Sequence, residues 1–429
     1  MAIKNEIGIG LLGLGVVGSK FAGHLLQYLE ALSLNLDGPM VLRRVLVRNI
    51  QLPRAISLPS GILTDDFSVV LNDPDIHIVV EVMGGEFPAA DYLIQLLKNG
   101  KSVVTANKEV MAKHGPSLMA AAAHSGAQLR FEASVGGGVP IVGPLQNDLL
   151  ANDITSIRAI INGTTNFILT KMAKEKMEFT SALAQAQTLG YAEPDPTDDV
   201  EGIDAAYKIA ILASLAFHTD VAPEHVYTEG ITTLQAEDFE FAHELGYEIK
   251  LLAIAERTID GIQARVYPAL LHRESMLAKV EGVFNAVEVY GVLAGPVVFH
   301  GLGAGPAPTT SSLIGDLLAV ARSGGHAVPV GPRVKLPFKP MVDLETQYYL
   351  RLSVADQSGV LSQIAQVFGE CDISIATVTQ KDVGDQQGTA QLVITTHPAR
   401  ESAMQKALKE MKEMPVLQKV HNLLRVEPL

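Results

Sequence analysis

The chain has 429 residues, 48% of them apolar and 19% charged, with a formal charge of −14. That length predicts two or three domains, and the acidic balance argues against a protein built to grip nucleic-acid phosphates. No uncharged apolar run is long enough to predict a membrane span. The single Cys371 leaves neither an internal disulfide nor a cysteine-based zinc site, so a reducing, cytoplasmic setting is expected.

Residues 6–12 (EIGIGLL) read as a buried first strand rather than a signal peptide, because Gly13-Leu14-Gly15-Val16-Val17-Gly18 and a helix from Ser19 follow at once. Further strands are predicted at Met40–Val47, Ile76–Val80, Ser102–Thr105 and Gln128–Glu132, with helices at Pro88–Asn99 and up to about Ser125. This alternation predicts an α/β, Rossmann-like domain with a parallel sheet over 1–140. The pattern then changes. Strands at Ile154–Ile161, Ile262–Leu271 and Ala286–Val292, with helices near 178–189, 202–217 and 236–256, predict an α+β domain over 141–308. A helix over Thr309–Arg322 is expected to return to the first domain, within 309–325. Prolines 329, 332, 337 and 340 mark 328–347 as a linker. Residues 348–429 follow in the order βαββαβ, a ferredoxin-like domain.

The glycine loop sits between a strand and a helix, where GxGxxG has a mechanism. Gly13 permits the tight turn, Gly15 a close approach to a pyrophosphate, and Gly18 the packing of helix on strand. Val16 and Val17 begin the helix whose free N–H groups suit an anion. A loop that only packs is the alternative. Past the second strand, where an acid would take the ribose 2′-hydroxyl, stand Arg48 and Asn49. A guanidinium suits a 2′-phosphate, so NADP is favoured over NAD; a solvated charge after a strand is the alternative for Arg48. Thr105-Ala106-Asn107-Lys108 ends the fourth strand, at the sheet edge where ligands bind in such folds. Lys108 taken alone reads more readily as a surface lysine after a strand.

GLGVVG, VVTANK, FEASVGGGVP, NGTTNFIL, GYAEPDPTDDVEGIDAAYK and GLGAGPAPT stand in the order found in homoserine dehydrogenases, over about residues 6–325. The C-terminal domain resembles an ACT domain. The resemblance implies reversible NAD(P)-dependent reduction of L-aspartate 4-semialdehyde to L-homoserine, in threonine, methionine and isoleucine biosynthesis. It implies Lys208 as the proton donor and Glu193 and Asp204 as substrate-binding residues. Lys108 becomes a contact for nicotinamide or substrate, and Gly190 and Gly305 become cofactor contacts. Glu132, with the carbonyls of Val135, Gly137 and Val139, matches the family's site for Na+ or another monovalent cation; a loop that merely joins two domains is the alternative.

Asp204 and Lys208 are four apart on an otherwise apolar helix. Among exposed residues such a pair would be worth under about 1 kcal/mol. Burying it costs several kcal/mol per ion, a cost a cleft wall can justify. Hydride delivered to an aldehyde leaves an alkoxide, and a positioned ammonium can stabilise and protonate it. Asp204 can orient Lys208 or hold the substrate's ammonium. Asp198 and Asp199 read equally as acids favoured at a helix N-terminus. With the one cysteine remote in sequence, thioester chemistry is not expected. In the ACT-like domain, Asp356-Gln357-Ser358-Gly359 is the turn where an amino-acid effector, threonine by expectation, would bind; a domain that only dimerises the chain is the alternative. A homodimer or homotetramer is expected. A related NADP-linked reductase of another small amino or hydroxy aldehyde is the alternative among enzymes; a non-catalytic sensor would retain the fold but has no reason to keep Lys208, Glu193 and Asp204 together.

Overall fold

The computed structural model describes residues 6–34, 36–323, 333–382 and 388–428. The chain divides into two compact units. The first comprises residues 1–155, 207–225 and 285–335, and the second comprises residues 156–206, 226–284 and 336–429.

The first unit opens with β1 (Ile7–Leu12), α1 (Val16–Ser33), β2 (Met40–Leu46), β3 (Leu63–Thr64), α2 (Phe67–Asn72), β4 (Ile78–Glu81), α3 (Ala89–Lys98), β5 (Ser102–Thr105), α4 (Lys108–Ser125), β6 (Leu129–Arg130) and α5 (Val142–Gln146). These six strands form one parallel sheet, in the order β3-β2-β1-β4-β5-β6. The order reverses direction between β1 and β4, which opens a crevice at their carboxyl ends. The apolar first run forms the strand expected of it. Ile9, Leu11, Val45, Val80 and Val104 are buried under Phe21, Leu25 and a later helix. The strand expected at Gln128–Glu132 keeps only two residues in the ladder; Glu132–Ser134 instead forms a 3₁₀ turn.

The second unit takes up β7 (Ile154–Ile160), α6 (Gly163–Glu175), α7 (Phe179–Thr188) and α8 (Thr197–Val200). Then α9 (Ile203–Ala216) starts in the second unit and, from Tyr207, counts with the first. β8 (Val226–Thr228), α10 (Ala236–Glu244), β9 (Tyr247–Thr258) and β10 (Gly261–His272) follow. One expectation fails here. The helix foreseen over 236–256 stops at Glu244, Gly246 adopts φ +89°, and Tyr247–Thr258 pairs antiparallel with Gly261–His272. The run LLAIA is buried on both faces, and a continuous apolar run does not distinguish a central strand from a buried helix.

β11 (Phe284–Gly291), β12 (Gly295–Leu302) and α11 (Pro306–Arg322) bring the chain back to the first unit. Leu313, Ile314, Leu317 and Val320 of α11 join the core beneath β1 and α1.

The rest belongs to the second unit: β13 (Glu345–Ala355), α12 (Val360–Glu370), β14 (Ile375–Asp382), β15 (Thr389–Thr396), β16 (Ala399–Arg400), α13 (Glu401–Lys412) and β17 (Leu417–Glu427). The long elements run βαββαβ, and the sheet of this unit reads β7-β9-β10-β17-β13-β15-β14. β17 pairs parallel with β10, Ala269 opposite Arg425, so the C-terminal sheet continues that of β9 and β10. Residues 328–332 of the expected linker lie outside the described residues. Its later part is tied down: the Ile262 N–H donates to the Pro337 carbonyl at 2.8 Å, and Gln263 Nε2 to that of Pro340 at 3.1 Å.

Candidate active site

The glycine loop leaves the carboxyl end of β1. Gly13 has φ +99°, and a Cβ at Gly18 would lie 2.3 Å from the Gly13 carbonyl oxygen, so both positions require glycine. A Cβ at Gly15 would meet nothing within 4 Å. No side chain caps α1 and no acid lies in its first turn. The first N–H groups of α1 therefore lie at a positive dipole end with no side-chain cap, beside the open space at Gly15, which fits a pyrophosphate. Arg48 is exposed just beyond β2, whose Leu46 carbonyl accepts the Gly13 N–H at 3.0 Å.

Thr105 ends β5, where its Oγ1 donates to Glu81 Oε2 at 2.5 Å. Glu81, fully buried at the end of β4, also accepts the Met83 N–H at 2.7 Å. Burial pushes its carboxyl up, against the hydrogen bond from Thr105. Asn107 caps α4 by accepting the Val110 N–H, and its Nδ2 donates to the Gly85 carbonyl at 2.8 Å. Lys108 is the first residue of that helix and is half-buried. Sequence reasoning passed over Glu81; its signal is a carboxylate closing an otherwise apolar strand, IHIVVE.

The Glu132 carboxylate accepts the N–H groups of Ile141, Val142 and Gly143 at 2.6, 2.8 and 2.6 Å. It closes the loop that carries Val135, Gly137 and Val139. That loop is compact: a Cβ at Gly136 would lie 2.3 Å from the Val139 carbonyl oxygen, and one at Gly137 2.2 Å from that of Gly303. The Gly138 N–H donates to Leu302 at 3.0 Å, and Ser312 Oγ donates to the Gly137 carbonyl at 2.5 Å. The loop is thus stitched to Gly303–Gly305, where Gly305 (φ +108°) begins α11. Among the described residues no cluster of three His, Cys, Asp or Glu is placed to hold a metal ion. The oxygen donors here are mainly carbonyls, a set that suits a hard cation.

In the second unit Asp204 is 2% exposed and accepts a hydrogen bond from Asn162 Nδ2 at 2.9 Å. The same amide group donates to Asp199 Oδ1 at 2.7 Å, while Asn162 Oδ1 caps α6 through the Thr165 N–H at 2.8 Å. Asp199 is thereby part of a network rather than a lone charge at a helix start. Asn162 was not singled out in the sequence, though an N-cap asparagine opening NGTTNFIL was its visible signal. Glu193 and Gly190 are exposed on the loop before α8, and Gln187 Nε2 steadies that loop through the Glu193 carbonyl at 3.1 Å. Lys208, in the part of α9 that counts with the first unit, is 8% exposed. One helical turn separates it from Asp204 on the same face.

Cys371 is buried in the C-terminal segment, and burial pushes its thiol up. The turn Asp356–Gly359 joins β13 to α12, with Gly359 at φ +91°.

Comparison with known proteins bears on this arrangement. Family models match for the homoserine dehydrogenase NAD-binding domain over residues 13–132, homoserine dehydrogenase over 140–318 and the ACT domain over 348–415. The homoserine dehydrogenase of Mycobacterium tuberculosis strain H37Rv is 43% identical over 435 residues, covering 99% of this chain and 98% of the relative. A crystal structure of the enzyme from Thiobacillus denitrificans has a TM-score of 0.92 at 39% identity, covering 98% of each chain. A hyperthermophilic archaeal homoserine dehydrogenase in complex with NADPH has a TM-score of 0.63 at 26% identity, covering 77% of this chain and 100% of that one. Among the described residues no helix is long and apolar enough to cross a membrane. The chain belongs to the homoserine dehydrogenase family, oxidoreductases that act on a CH–OH group with a nicotinamide cofactor, and it carries a C-terminal ACT domain.

Proposed function

We propose that Lys208 is the proton donor in the reduction of L-aspartate 4-semialdehyde to L-homoserine, with NADPH preferred. The observation that carries this is the burial of Lys208 and Asp204 one turn apart on α9, with Asp204 held by Asn162. The bound dinucleotide supplies the hydride. The Lys208 ammonium stabilises the charge growing on the carbonyl oxygen and passes a proton to it, and the amine takes one back in the reverse direction. Asp204 orients that amine. Glu193 and Asp204 receive the substrate's α-ammonium, and Asn162 fixes the Asp204 carboxylate so that little ordering remains to be done on binding.

The cofactor is held by Gly13, Gly15, Val16, Val17 and Gly18 at its pyrophosphate, and by Thr105, Lys108, Gly190 and Gly305 elsewhere. Arg48 takes the 2′-phosphate; the NADPH complex of the archaeal relative supports this preference. Na+ would be held by the carbonyls of Val135, Gly137 and Val139. Glu132 would add its own main-chain carbonyl, because its carboxylate is engaged by three N–H groups. Such a cation would brace the loop against Gly303–Gly305. We read the chain as a nucleotide domain (1–140 with 309–325), a catalytic domain (141–308) and an ACT domain (348–429) that takes threonine at Asp356–Gly359. The enzyme works in the cytoplasm as a homodimer or homotetramer, within threonine and methionine synthesis.

Steady-state kinetics of Lys208→Ala with aspartate semialdehyde test the central assignment. The variant should lose about 10²–10⁴ in kcat with KM little changed, the range for a general acid. Near-normal kcat in a folded variant would refute the role.

A further inference from the structure

The first unit contains a cavity of about 570 Å³, lined by the second half of α4, by β6, by α5 and by the end of α9. It lies beside the edge strand, three strand positions from β1 and so roughly 14 Å from the glycine loop's strand. That volume is typical of a small-molecule site. Most of the wall is apolar, with Ala122, Ala123, Leu145 and Leu215 contributing. Arg130, Arg333 and His218 also line it, and among the described residues no Asp or Glu does, in a chain of net charge −14.

Gln128 adds a more specific feature. It is 4% exposed and lines the cavity, and its Oε1 has no hydrogen-bond partner among the described residues. The orientation of this amide follows from its neighbour. Ser323 Oγ–H donates to the Val320 carbonyl at 2.9 Å, so that hydroxyl can only accept from Gln128, which must turn its Nε2 toward Ser323. Oε1 is then the atom left over. An acceptor buried without a donor is costly, and a ligand donor would recover that cost. Arg333 already pairs with Asp220, whereas the Arg130 side chain makes no hydrogen bond or ion pair among the described residues, and its charge acts on Asp316.

We propose that this cavity is a second ligand site, for a small organic carboxylate with an apolar body and a neutral hydrogen-bond donor next to the carboxylate. Arg130 takes the carboxylate, Gln128 Oε1 accepts from the neutral donor, and the body packs on Leu145 and Leu215. A 2-hydroxy acid meets these terms. An α-amino acid meets them less well, because its ammonium would enter among cations with no acid to receive it. The site shares α9 with Lys208, which lies two turns away.

Calorimetric titration of the full-length protein tests this with 2-hydroxyisocaproate, isocaproate, isocaproamide and leucine. The hydroxy acid should bind best. Loss of the hydroxyl should weaken binding about tenfold, the worth of one hydrogen bond, and the uncharged amide and leucine should bind more weakly still. Arg130→Met, or Arg130→Lys should the first fail to fold, should weaken the hydroxy acid at least tenfold. Gln128→Leu should bring the hydroxy acid down to the level of isocaproate, and Ala123→Trp on the exposed rim should block all four. Melting temperature and turnover identify the variants that remain folded. No binding of the hydroxy acid at millimolar concentration, equal binding of the amide, indifference to these substitutions, or displacement by NADP would each overturn the proposal.

Discussion

Arg265, Arg351 and Arg425 of the second unit are at most 2% exposed, and each is met by carboxylates. The N–H groups at the start of α1 in the first unit meet no side chain at all. One region closes its polar groups on each other; the other leaves them open. Arg425 reaches from β17 to Glu401 at 2.6 Å and to Glu229 on the loop after β8, with Tyr348 Oη also donating to Glu401 at 3.0 Å. Arg351 of β13 donates to Asp238 of α10 at 2.6 Å, and Asn422 Nδ2 joins the same carboxylate at 2.5 Å. These contacts fasten the ACT strands to the elements before them. Closed networks of this kind hold structure; donors left open at a helix start await a ligand.

The largest effect should therefore come from breaking a closed network. Arg425→Met leaves Glu401 buried without its cation, and removing one partner of a buried pair costs about 3–5 kcal/mol. Urea unfolding should show that loss in the midpoint. The double variant Arg425→Met with Glu401→Gln should recover much of it, because the orphaned charge goes with it. Equal stability of the single and double variants would mean that the seam is not held this way.

The sequence made the open region legible and the closed one not. Gly13, Gly15 and Gly18 announce themselves because a ligand loop needs particular residues at fixed spacing. Lys208 and Asp204 stand out because the helix around them is apolar. Arg425 and Arg351 lie in strands whose alternation is sound, but their partners Glu229, Glu401 and Asp238 are distant in sequence, and no local pattern pairs them. The expected proline linker points the same way. Proline density signals a break in regular structure, yet it gives no notice that β17 pairs with β10. Tyr247–Thr258 was misjudged for a related reason, because its neighbours on both faces come from elsewhere in the chain.

Asp316 lies between these extremes. It is buried on α11, its Oδ2 accepts the Glu132 N–H at 2.9 Å, and its carboxyl is pushed up to about 7, chiefly by burial and further by the nearby Glu132 charge. The Arg130 charge offsets this in part. A raised carboxyl favours the fold at low pH, where it is protonated in both states. As pH rises from the unfolded value of 3.8 to about 7, the unfolded chain releases the proton and the fold retains it, so stability falls. The slope approaches about 1.4 kcal/mol per pH unit and sums to a few kcal/mol at most. Asp316→Asn should remove this slope. The stability of the wild type relative to the variant, measured by denaturation at stepped pH, should decline across that window and level off above it. A difference that is flat with pH would show that Asp316 ionises normally.

The smallest effect belongs to the most open group. Arg48 is exposed beyond β2, so removing it should cost neither fold nor turnover with NADH. Its proposed partner is a 2′-phosphate that NADH lacks, and a charge-assisted contact in this setting is worth about 1.5–3 kcal/mol. Arg48→Ala should therefore raise KM for NADPH by roughly tenfold or more while leaving KM for NADH within about twofold. The ratio of kcat/KM for the two cofactors isolates this term from any general disturbance of the loop. A variant that loses both cofactors equally would put Arg48 in a structural role, and one that loses neither would leave the 2′-phosphate to some other group.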